Sequence, residues 1–232
     1  MTERVTLHKR GTAVLIDRDA RFGLDALLLA DFAQVWRRHR VLDLGTGCGI
    51  LPLALADAGH EGRCVALEID ETAASLAARA MKENGFDGRI SVLCRDFRAY
   101  TETAKFDAAL CNPPYFADGT GKRSDRAYAL GARHETSCTL DDVADAAARN
   151  LKEGGRLAVC LRPERLAELF SILRAHALEP KRLQFVKHAQ DRSPWLALVD
   201  ARLRGGAGLR VLPDRITPKK QRGRAEPERR EE

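Results

Sequence analysis

Short apolar runs alternate with segments of helical periodicity along most of this chain, and this alternation restricts the possible folds more than any other feature. The apolar runs predict strands at residues 41–44, 64–69, 90–94, 106–111 and 156–161. Apolar residues spaced three and four apart predict helices at residues 21–36, 49–58, 71–84, 140–151 and 163–176. Strands that alternate with helices form a parallel sheet covered on both faces, in which a buried strand need not alternate in polarity.

The pattern changes near the end of the chain. Two apolar runs, 182–188 and 195–203, are joined by the short link 189–194, which permits only antiparallel pairing. We therefore expect an α/β fold with a mostly parallel, seven-stranded sheet and a C-terminal antiparallel hairpin, followed by an extended piece at 211–216. Residues 1–217 are expected to form a single domain, and the highly charged residues 218–232 are expected to be a disordered tail.

The composition argues against several protein classes. Polar residues and glycines interrupt the most apolar stretch, 41–58, and the first residues include no apolar core, so neither a transmembrane helix nor a signal peptide is expected. The six cysteines include no CxxC pair, which argues against a zinc site or a disulfide scaffold. We expect no metal and a cytoplasmic location, with free, buried thiols at Cys64, Cys94, Cys111 and Cys160. Trp36 and Trp195 are expected to pack in the core or on the hairpin.

The charge distribution is uneven. The formal net charge is +6, and the residues after position 180 include 14 Lys or Arg against 7 Asp or Glu. The basic excess therefore lies in the last part of the chain. Such a distribution is typical of proteins that bind a polyanion such as nucleic acid, although a protein with a plain basic tail would have it too.

A glycine-rich segment, VLDLGTGCGI at residues 41–50, follows the pattern strand, tight turn, helix start. Its glycines permit a tight turn, and the helix N-terminus after it offers free N–H groups to a ligand. The spacing differs from the GxGxxG of dinucleotide folds and from the P-loop, which requires a lysine. Asp43, at the end of the strand, suits a ligand with a cationic amine. Glu68 and Asp96 end the next two strands, although each could simply cap the turn after it.

The string DLGTGCG resembles the first motif of class I S-adenosylmethionine-dependent methyltransferases. The resemblance implies a Rossmann-like fold, S-adenosylmethionine as the cofactor, S-adenosylhomocysteine as its product and an N-terminal segment, 1–40, that covers the cofactor. It implies that Asp43 and the loop hold the methionine part, that Glu68 accepts the ribose hydroxyls, and that Asp96 receives the adenine amino group. The full set of cofactor-binding residues it implies is Asp43, Gly45, Thr46, Gly47, Cys48, Glu68, Ile69, Asp96, Phe97 and Asn112.

A second motif, Asn112-Pro113-Pro114-Tyr115, follows the fourth predicted strand of the parallel series. The prolines fix a rigid, extended corner that presents carbonyl oxygens, since proline has no N–H. The Asn112 side-chain oxygen and the Pro113 carbonyl can accept the two hydrogens of a planar amine, and Tyr115 can stack on its ring. The motif resembles the fourth motif of amino-methyltransferases, which implies methylation of a nitrogen on a planar group, with these four residues as the catalytic set.

Further strings resemble one family, and that resemblance implies an acceptor. Residues 21–31 and 132–135, the NPPYF string, Arg162–Arg165 and the closing 208–213 together resemble the bacterial methyltransferases that act on the N-6 amino group of adenine 37 in a valine tRNA. Leu24 departs from the small hydroxyl residue usual in that family. The resemblance implies a tRNA substrate. An rRNA guanine N-2 methyltransferase and a catalytically silent RNA-binding protein that retains the cofactor site are the alternatives.

The segment 117–134, between NPPY and the next helix, is rich in arginine, lysine and glycine. We expect it to close over the target nucleotide and to contact RNA phosphates, although an ordinary solvated loop would have the same composition. The residues assigned to RNA binding are Lys122, Arg123, Arg126 and Arg133. The sequence leaves open whether the protein is a monomer or a homodimer.

Overall fold

A computed structural model of the chain describes residues 2–113 and 138–217. The strands are β1 Glu3–Thr6, β2 Ala13–Ile16, β3 Val41–Leu44, β4 Cys64–Glu68, β5 Ile90–Cys94, β6 Phe106–Cys111, β7 Leu151–Leu161, β8 Leu178–Lys187, β9 Leu196–Leu203, β10 Arg210–Val211 and β11 Arg215–Ile216. The helices are α1 Leu24–Phe32, α2 Ile50–Asp57, α3 Glu71–Glu83, α4 Leu140–Asn150 and α5 Leu166–Ala175, with 3₁₀ turns at Phe97–Ala99 and Pro163–Arg165.

The central sheet has the strand order β5-β4-β3-β6-β7-β9-β8, and the first five strands are parallel. β9 runs antiparallel to both β7 and β8, as the short link before it predicted. The mostly parallel α/β fold and its terminal hairpin are thus confirmed. The expected count of seven strands is incomplete, because two-residue strands β10 and β11 also pair with β8 within the described part of the chain. They form where residues 210–217 run back beside that edge strand, with Leu212 N–H donating to the Leu183 carbonyl at 2.8 Å.

The position of β3 in this order determines where a ligand can bind. β3 pairs with β4 on one side and with β6 on the other, so the chain changes direction across the sheet at β3. Ligands of open α/β sheets bind at such switch points, outside the carboxyl ends of the strands. The glycine-rich segment follows β3 and the Asn-Pro-Pro segment follows β6, and both therefore lie at that edge.

Two apolar cores cover the two faces of the sheet. Residues of α1, α2 and α3 pack on one face, whereas α4 and α5 pack on the other. Consecutive residues of β3 divide between the cores: Val41 belongs to the first and Leu42 to the second. The apolar runs therefore reflect strands buried on both faces. No helix of the described residues is both long enough and apolar enough to cross a membrane.

Ahead of α1, β1 and β2 form an antiparallel hairpin that the weakly patterned residues 1–20 did not predict. Its turn is held by Asp57, at the end of α2, and the start of β2 is held by Asn84, just after α3. The hairpin thus packs beside α2 and α3. The start of α1, within the expected cofactor-covering segment 1–40, reaches the carboxyl edge of the sheet, where Asp25 contacts Asn112.

Three local predictions are corrected or refined by the packing. Trp36 was expected to be packed, but 73% of it is exposed, because α1 ends at Phe32 and Trp36 lies in the loop after it. Cys94 was expected to be buried and is exposed, because it is the last residue of the edge strand β5. Trp195 does pack at the hairpin, where it stacks on His188 with ring centroids 5.4 Å apart.

Candidate active site

The loop after β3 has backbone angles that favour glycine. Gly45 and Gly47 have φ angles of 75° and 55°, in the left-handed region that side chains with a Cβ disfavour. The Gly45 and Thr46 N–H groups both donate to the Leu67 carbonyl, at 3.0 and 2.9 Å, which binds the loop to the end of β4. A Cβ built on Gly45 or Gly47 would meet no described atom within 4 Å, so both backbones face open space.

The Glu68 carboxylate organises this loop from the neighbouring strand. One oxygen, Oε2, accepts the Gly47 N–H at 2.7 Å. The other, Oε1, accepts the N–H groups of Ile69 and Asp70 at 2.9 and 3.0 Å. Glu68 is only partly buried, and a carboxylate can accept further hydrogen bonds on its remaining lone pairs. Asp70 caps α3 by accepting the Ala73 N–H, so Glu68 and Asp70 have separate roles.

Asp43 lies beneath the loop, with only 1% of its surface exposed. Within the described residues, neither carboxyl oxygen has a hydrogen-bond partner, and the buried Thr46 hydroxyl has none either. Burial raises the pKa of Asp43 to about 7, an effect that the nearby Thr46 hydroxyl opposes and the negative charge of Glu68 reinforces. Cys48 is also buried, and burial raises the pKa of its thiol to about 12, so it serves to pack the loop rather than as a thiolate.

Asp96 forms a forked ion pair with Arg98, whose Nη2 lies 2.6 Å from Oδ2. This hydrogen bonding holds the pKa of Asp96 below its usual value. Asp96 also caps the 3₁₀ turn by accepting the Arg98 N–H. Ile69, 43% exposed, and the partly buried Phe97 provide apolar surface near the ends of β4 and β5. Asp96 therefore reaches the predicted edge, but sequence reasoning did not identify Arg98 as its partner.

Asn112 directly follows β6 and joins two other elements. Its Nδ2 donates to Oδ2 of Asp25, in the first turn of α1, at 3.3 Å. Its Oδ1 accepts from the buried Cys160 thiol in β7, with 2.9 Å between sulfur and oxygen. Pro113 is buried beside it. Several predicted site residues lie outside the described residues, namely Pro114, Tyr115, Lys122, Arg123, Arg126 and Arg133. The whole segment 117–134 and the tail 218–232 lie outside them too.

The register of the sheet brings the two motifs together. Asp43 of β3 pairs with Leu110 of β6 in parallel register, so Gly45 and Asn112, each two residues further on, both leave the sheet at the same edge. Neighbouring strands are about 4.8 Å apart. The loop, the Glu68 carboxylate and Asn112 therefore line one crevice. Asp25 is the residue that sequence reasoning missed, since its only signal was membership of the string at residues 21–31.

These residues fit a ligand with a cationic amine and several hydroxyl groups. In the part of the chain that the structure describes, buried polar atoms of Asp43 and Thr46 have no hydrogen-bond partner. Gly45 and Gly47 leave space at the backbone, and Glu68 presents acceptors at the rim. Among the described residues, no group of three His, Cys, Asp or Glu side chains is placed to hold a metal ion.

Comparison with known proteins places this crevice in context. Residues 24–176 match the family model described as the methyltransferase small domain. The chain is 37% identical to the tRNA1(Val) (adenine(37)-N6)-methyltransferase of Bacteroides thetaiotaomicron, over 61% of this chain and 59% of that protein. It is 31% identical to the protein of the same name from Bacteroides fragilis strain ATCC 25285, over 70% of this chain and 68% of that protein. The first alignment thus spans less than two thirds of the relative's length.

Solved structures share the fold at lower sequence identity. The T. thermophilus 16S rRNA N2 G1207 methyltransferase, in complex with AdoMet and guanosine, superposes with a TM-score of 0.60 and 22% identity. The superposition covers 88% of this chain and 51% of that one. At this identity the likeness establishes the fold alone.

Proposed function

This chain belongs to the methyltransferase small-domain family, and we propose that it transfers a methyl group from S-adenosylmethionine to the N-6 amino group of adenine 37 in a valine tRNA. The curated relatives of that name and the motifs of both loops support the proposal. The cofactor is S-adenosylmethionine, and the product that leaves the site is S-adenosylhomocysteine. The site of action is the cytoplasm, where tRNA is modified.

One observation carries the proposal: β3 and β6 are neighbouring parallel strands, with Asp43 paired to Leu110, so the glycine loop and Asn112 both follow at the same edge of the sheet. A methyl donor held by the glycine loop and an amine held by Asn112 would therefore meet in the same crevice. Holding the two reactants side by side converts a bimolecular reaction into one within a single complex, which removes much of the entropic cost of the encounter.

The residues of the crevice divide the work of binding. Glu68, already fixed by three backbone N–H groups, offers its remaining lone pairs to the ribose hydroxyls. Beneath the loop, the Asp43 carboxyl oxygens and the Thr46 hydroxyl have no hydrogen-bond partner among the described residues. These acceptors favour the cationic methionine part of the cofactor. Ile69 and Phe97 offer apolar surface to the adenine ring, beside the acceptor oxygens of Asp96. The cofactor supplies a sulfonium methyl group, which is electrophilic.

Asn112 and Pro113 act on the acceptor. The Asn112 Oδ1 and the Pro113 carbonyl accept the two hydrogens of the exocyclic amine and turn its nitrogen lone pair toward the methyl group. With the methyl donor bound, a new N–C bond would form as the S–C bond breaks, and these two oxygens would stabilise the positive charge that develops on nitrogen. The methylated ammonium is acidic and releases its proton to water, so no general base is required.

The acceptor base must leave its stack to enter such a crevice. Unstacking costs less in an anticodon loop than in a duplex, which favours a loop nucleotide as substrate. Lys122, Arg123, Arg126 and Arg133 are proposed to contact the phosphates around it, and Pro114 and Tyr115 are proposed to complete the corner and stack on the base.

Mass spectrometry of nucleosides tests the proposal. Total RNA is incubated with the purified protein and methyl-labelled S-adenosylmethionine, and the tRNA and rRNA fractions are digested separately. Label in N-6-methyladenosine from tRNA supports the proposal, whereas label in methylguanosine from rRNA would favour the guanine N-2 alternative. In parallel, Asn112→Ala should lower transfer to a small residual rate, about 1,000-fold below the wild type, while RNA affinity remains near that of the wild type. RNA binding without transfer by the wild-type protein would identify a silent RNA-binding protein.

A further inference from the structure

We propose that Asp25 is a positioning residue for methyl transfer, acting through Asn112. The inference rests on the proposed function, since it concerns the group that would hold the acceptor amine. Asp25 lies 87 positions before Asn112 in the chain, yet the two side chains are in hydrogen-bond contact across the crevice, with 3.3 Å from Nδ2 to Oδ2.

This contact fixes the orientation of the Asn112 side-chain amide, that is, the positions of its NH₂ group and its oxygen. An asparagine amide has a donor end and an acceptor end of nearly equal shape, and its orientation is set by its partners. The Asp25 carboxylate can only accept, so it selects the NH₂ end. The Cys160 thiol donates to the other end, Oδ1. With Asp25 on the NH₂ group and Cys160 on the oxygen, the second lone pair of Oδ1 is available to accept a hydrogen of the substrate amine.

The charge of Asp25 also affects the acceptor strength of Asn112. Hydrogen-bonded groups polarise one another, and a carboxylate that accepts from the amide NH₂ draws electron density toward the amide oxygen. A more negative Oδ1 holds the amine hydrogens more strongly as positive charge develops on nitrogen. Asp25 thus favours the transition state without contacting the substrate.

The local backbone is shaped around this carboxylate. Gly23, the N-cap residue of α1, leaves room for it: a Cβ built there would lie 2.5 Å from Oδ1 of Asp25. Gly23 has a φ of −108°, which any residue can adopt, so the close approach of the carboxylate, rather than the backbone, explains the glycine. An added methyl group would displace a flexible side-chain end and leave the helix intact.

A purely structural role is the competing explanation. An acidic residue in the first turn of a helix interacts favourably with the helix dipole, and its loss would lower stability without any specific effect on catalysis. The two roles differ in their dependence on Asn112. A residue that acts through Asn112 loses its effect on the rate once Asn112 is removed.

A double-mutant cycle on the full-length protein tests this dependence. Single-turnover methyl transfer to tRNA, at saturating S-adenosylmethionine and RNA, is measured for the wild type, Asp25→Ala, Asn112→Ala and the double variant. We expect Asp25→Ala to lower the rate by about 100-fold, the scale of a small misplacement of a reacting group. In the Asn112→Ala background the same change should alter the residual rate by less than about threefold. Asp25→Asn, which keeps an acceptor oxygen without the charge, should recover part of the lost rate.

Asp31→Ala is the matched control. Asp31 lies on the same helix and is paired with Arg215 at 2.7 Å and with Lys9 at 3.5 Å, away from Asn112. Its variant should transfer methyl groups at a rate within about twofold of the wild type, and all folded variants should bind S-adenosylhomocysteine with similar affinity. Should Asp25→Ala fail to fold, Gly23→Ala displaces the same carboxylate without removing it and should also slow transfer.

The outcomes are separable. If Asp25→Ala costs the same factor with and without Asn112, or costs nothing while Asn112→Ala is inactive, the positioning role is wrong and the proposed function stands. If Asn112→Ala retains the wild-type rate, or the wild-type protein transfers no methyl group to RNA, the proposed function itself fails.

Discussion

The backbone N–H of Gly47 donates to the Glu68 carboxylate at 2.7 Å, so a side chain at the end of β4 fixes the loop that follows β3. Glu68 therefore shapes the loop, and in the proposed site its remaining lone pairs are also available to the ligand. Replacing Glu68 should therefore affect the loop as well as ligand affinity, because its loss leaves three backbone N–H groups without their acceptor.

We predict that Glu68→Ala weakens the binding of S-adenosylhomocysteine at least tenfold, since hydrogen bonds to a charged group contribute about 1.5–3 kcal/mol each. Titration calorimetry measures the change directly. Glu71→Ala, at the exposed start of α3, removes a nearby carboxylate that does not contact the loop and should leave the affinity unchanged. Equal affinities for the wild type and Glu68→Ala would exclude Glu68 from the cofactor site.

Asp43 should make the stability of the ligand-free protein depend on pH. Burial raises its pKa from 3.8 to about 7. Between these values the folded protein retains a proton that the unfolded chain has released, so this residue's contribution to stability is greatest below about pH 4, declines as the pH rises to 7 and is constant above it. Asp43→Asn removes this dependence.

The test compares the free energy of unfolding of the wild type and of Asp43→Asn, measured by urea denaturation at pH 5 and pH 8. The difference between the two proteins should shift in favour of Asp43→Asn by on the order of 2 kcal/mol across this range. A difference that is the same at both pH values would mean that Asp43 is ionised in the folded protein throughout. Wild-type stability alone is not diagnostic, because other groups titrate in the same interval.

The sequence predicted those parts of the site that depend on local spacing. The strand-loop-helix pattern located the loop from Gly45 to Gly49, and the strand ends located Glu68 and Asp96. The contact of Asn112 with Asp25 could not be predicted, because it depends on how α1 packs across the sheet. The β1–β2 hairpin was missed for a similar reason: its anchor, Asp57, is far along the chain and carries no local pattern.

Gly49 is predicted to be the least replaceable glycine of the loop for stability. Its φ is 80°, and a Cβ there would lie 2.7 Å from the Met81 methyl group and 3.2 Å from the Ala77 Cβ. Gly85 has a similar φ of 68° but open space around it, which makes Gly85→Ala a control for backbone strain alone. Gly85→Ala should cost about 1 kcal/mol and Gly49→Ala about 1–3 kcal/mol more, since the buried Met81 methyl group must move and Ala77 must give way. Equal losses in urea denaturation would show that this packing against α3 is loose.

The turn of the β1–β2 hairpin is hydrogen-bonded to one carboxylate. Asp57, 3% exposed, accepts the N–H groups of Lys9 at 3.0 Å, Arg10 at 2.9 Å and Thr12 at 3.2 Å. Burial by itself would raise the pKa of Asp57, but the hydrogen bonds from Thr12, Arg10 and Lys9 outweigh it and hold the pKa below its usual value. The carboxylate is therefore ionised at neutral pH and holds the turn to the end of α2.

We predict that Asp57→Ala releases this turn, because three backbone N–H groups lose a charged acceptor at once. Amide hydrogen exchange should show a loss of protection at Lys9, Arg10 and Thr12, with a fall in stability of about 2–4 kcal/mol. Asp57→Asn keeps one acceptor oxygen and should give an intermediate result, whereas Asp87→Ala, at an exposed position, should leave the exchange of the hairpin unchanged. Wild-type protection of all three amides in Asp57→Ala would mean that the β1–β2 pairing and the packing of β2 on α3 hold the hairpin without Asp57.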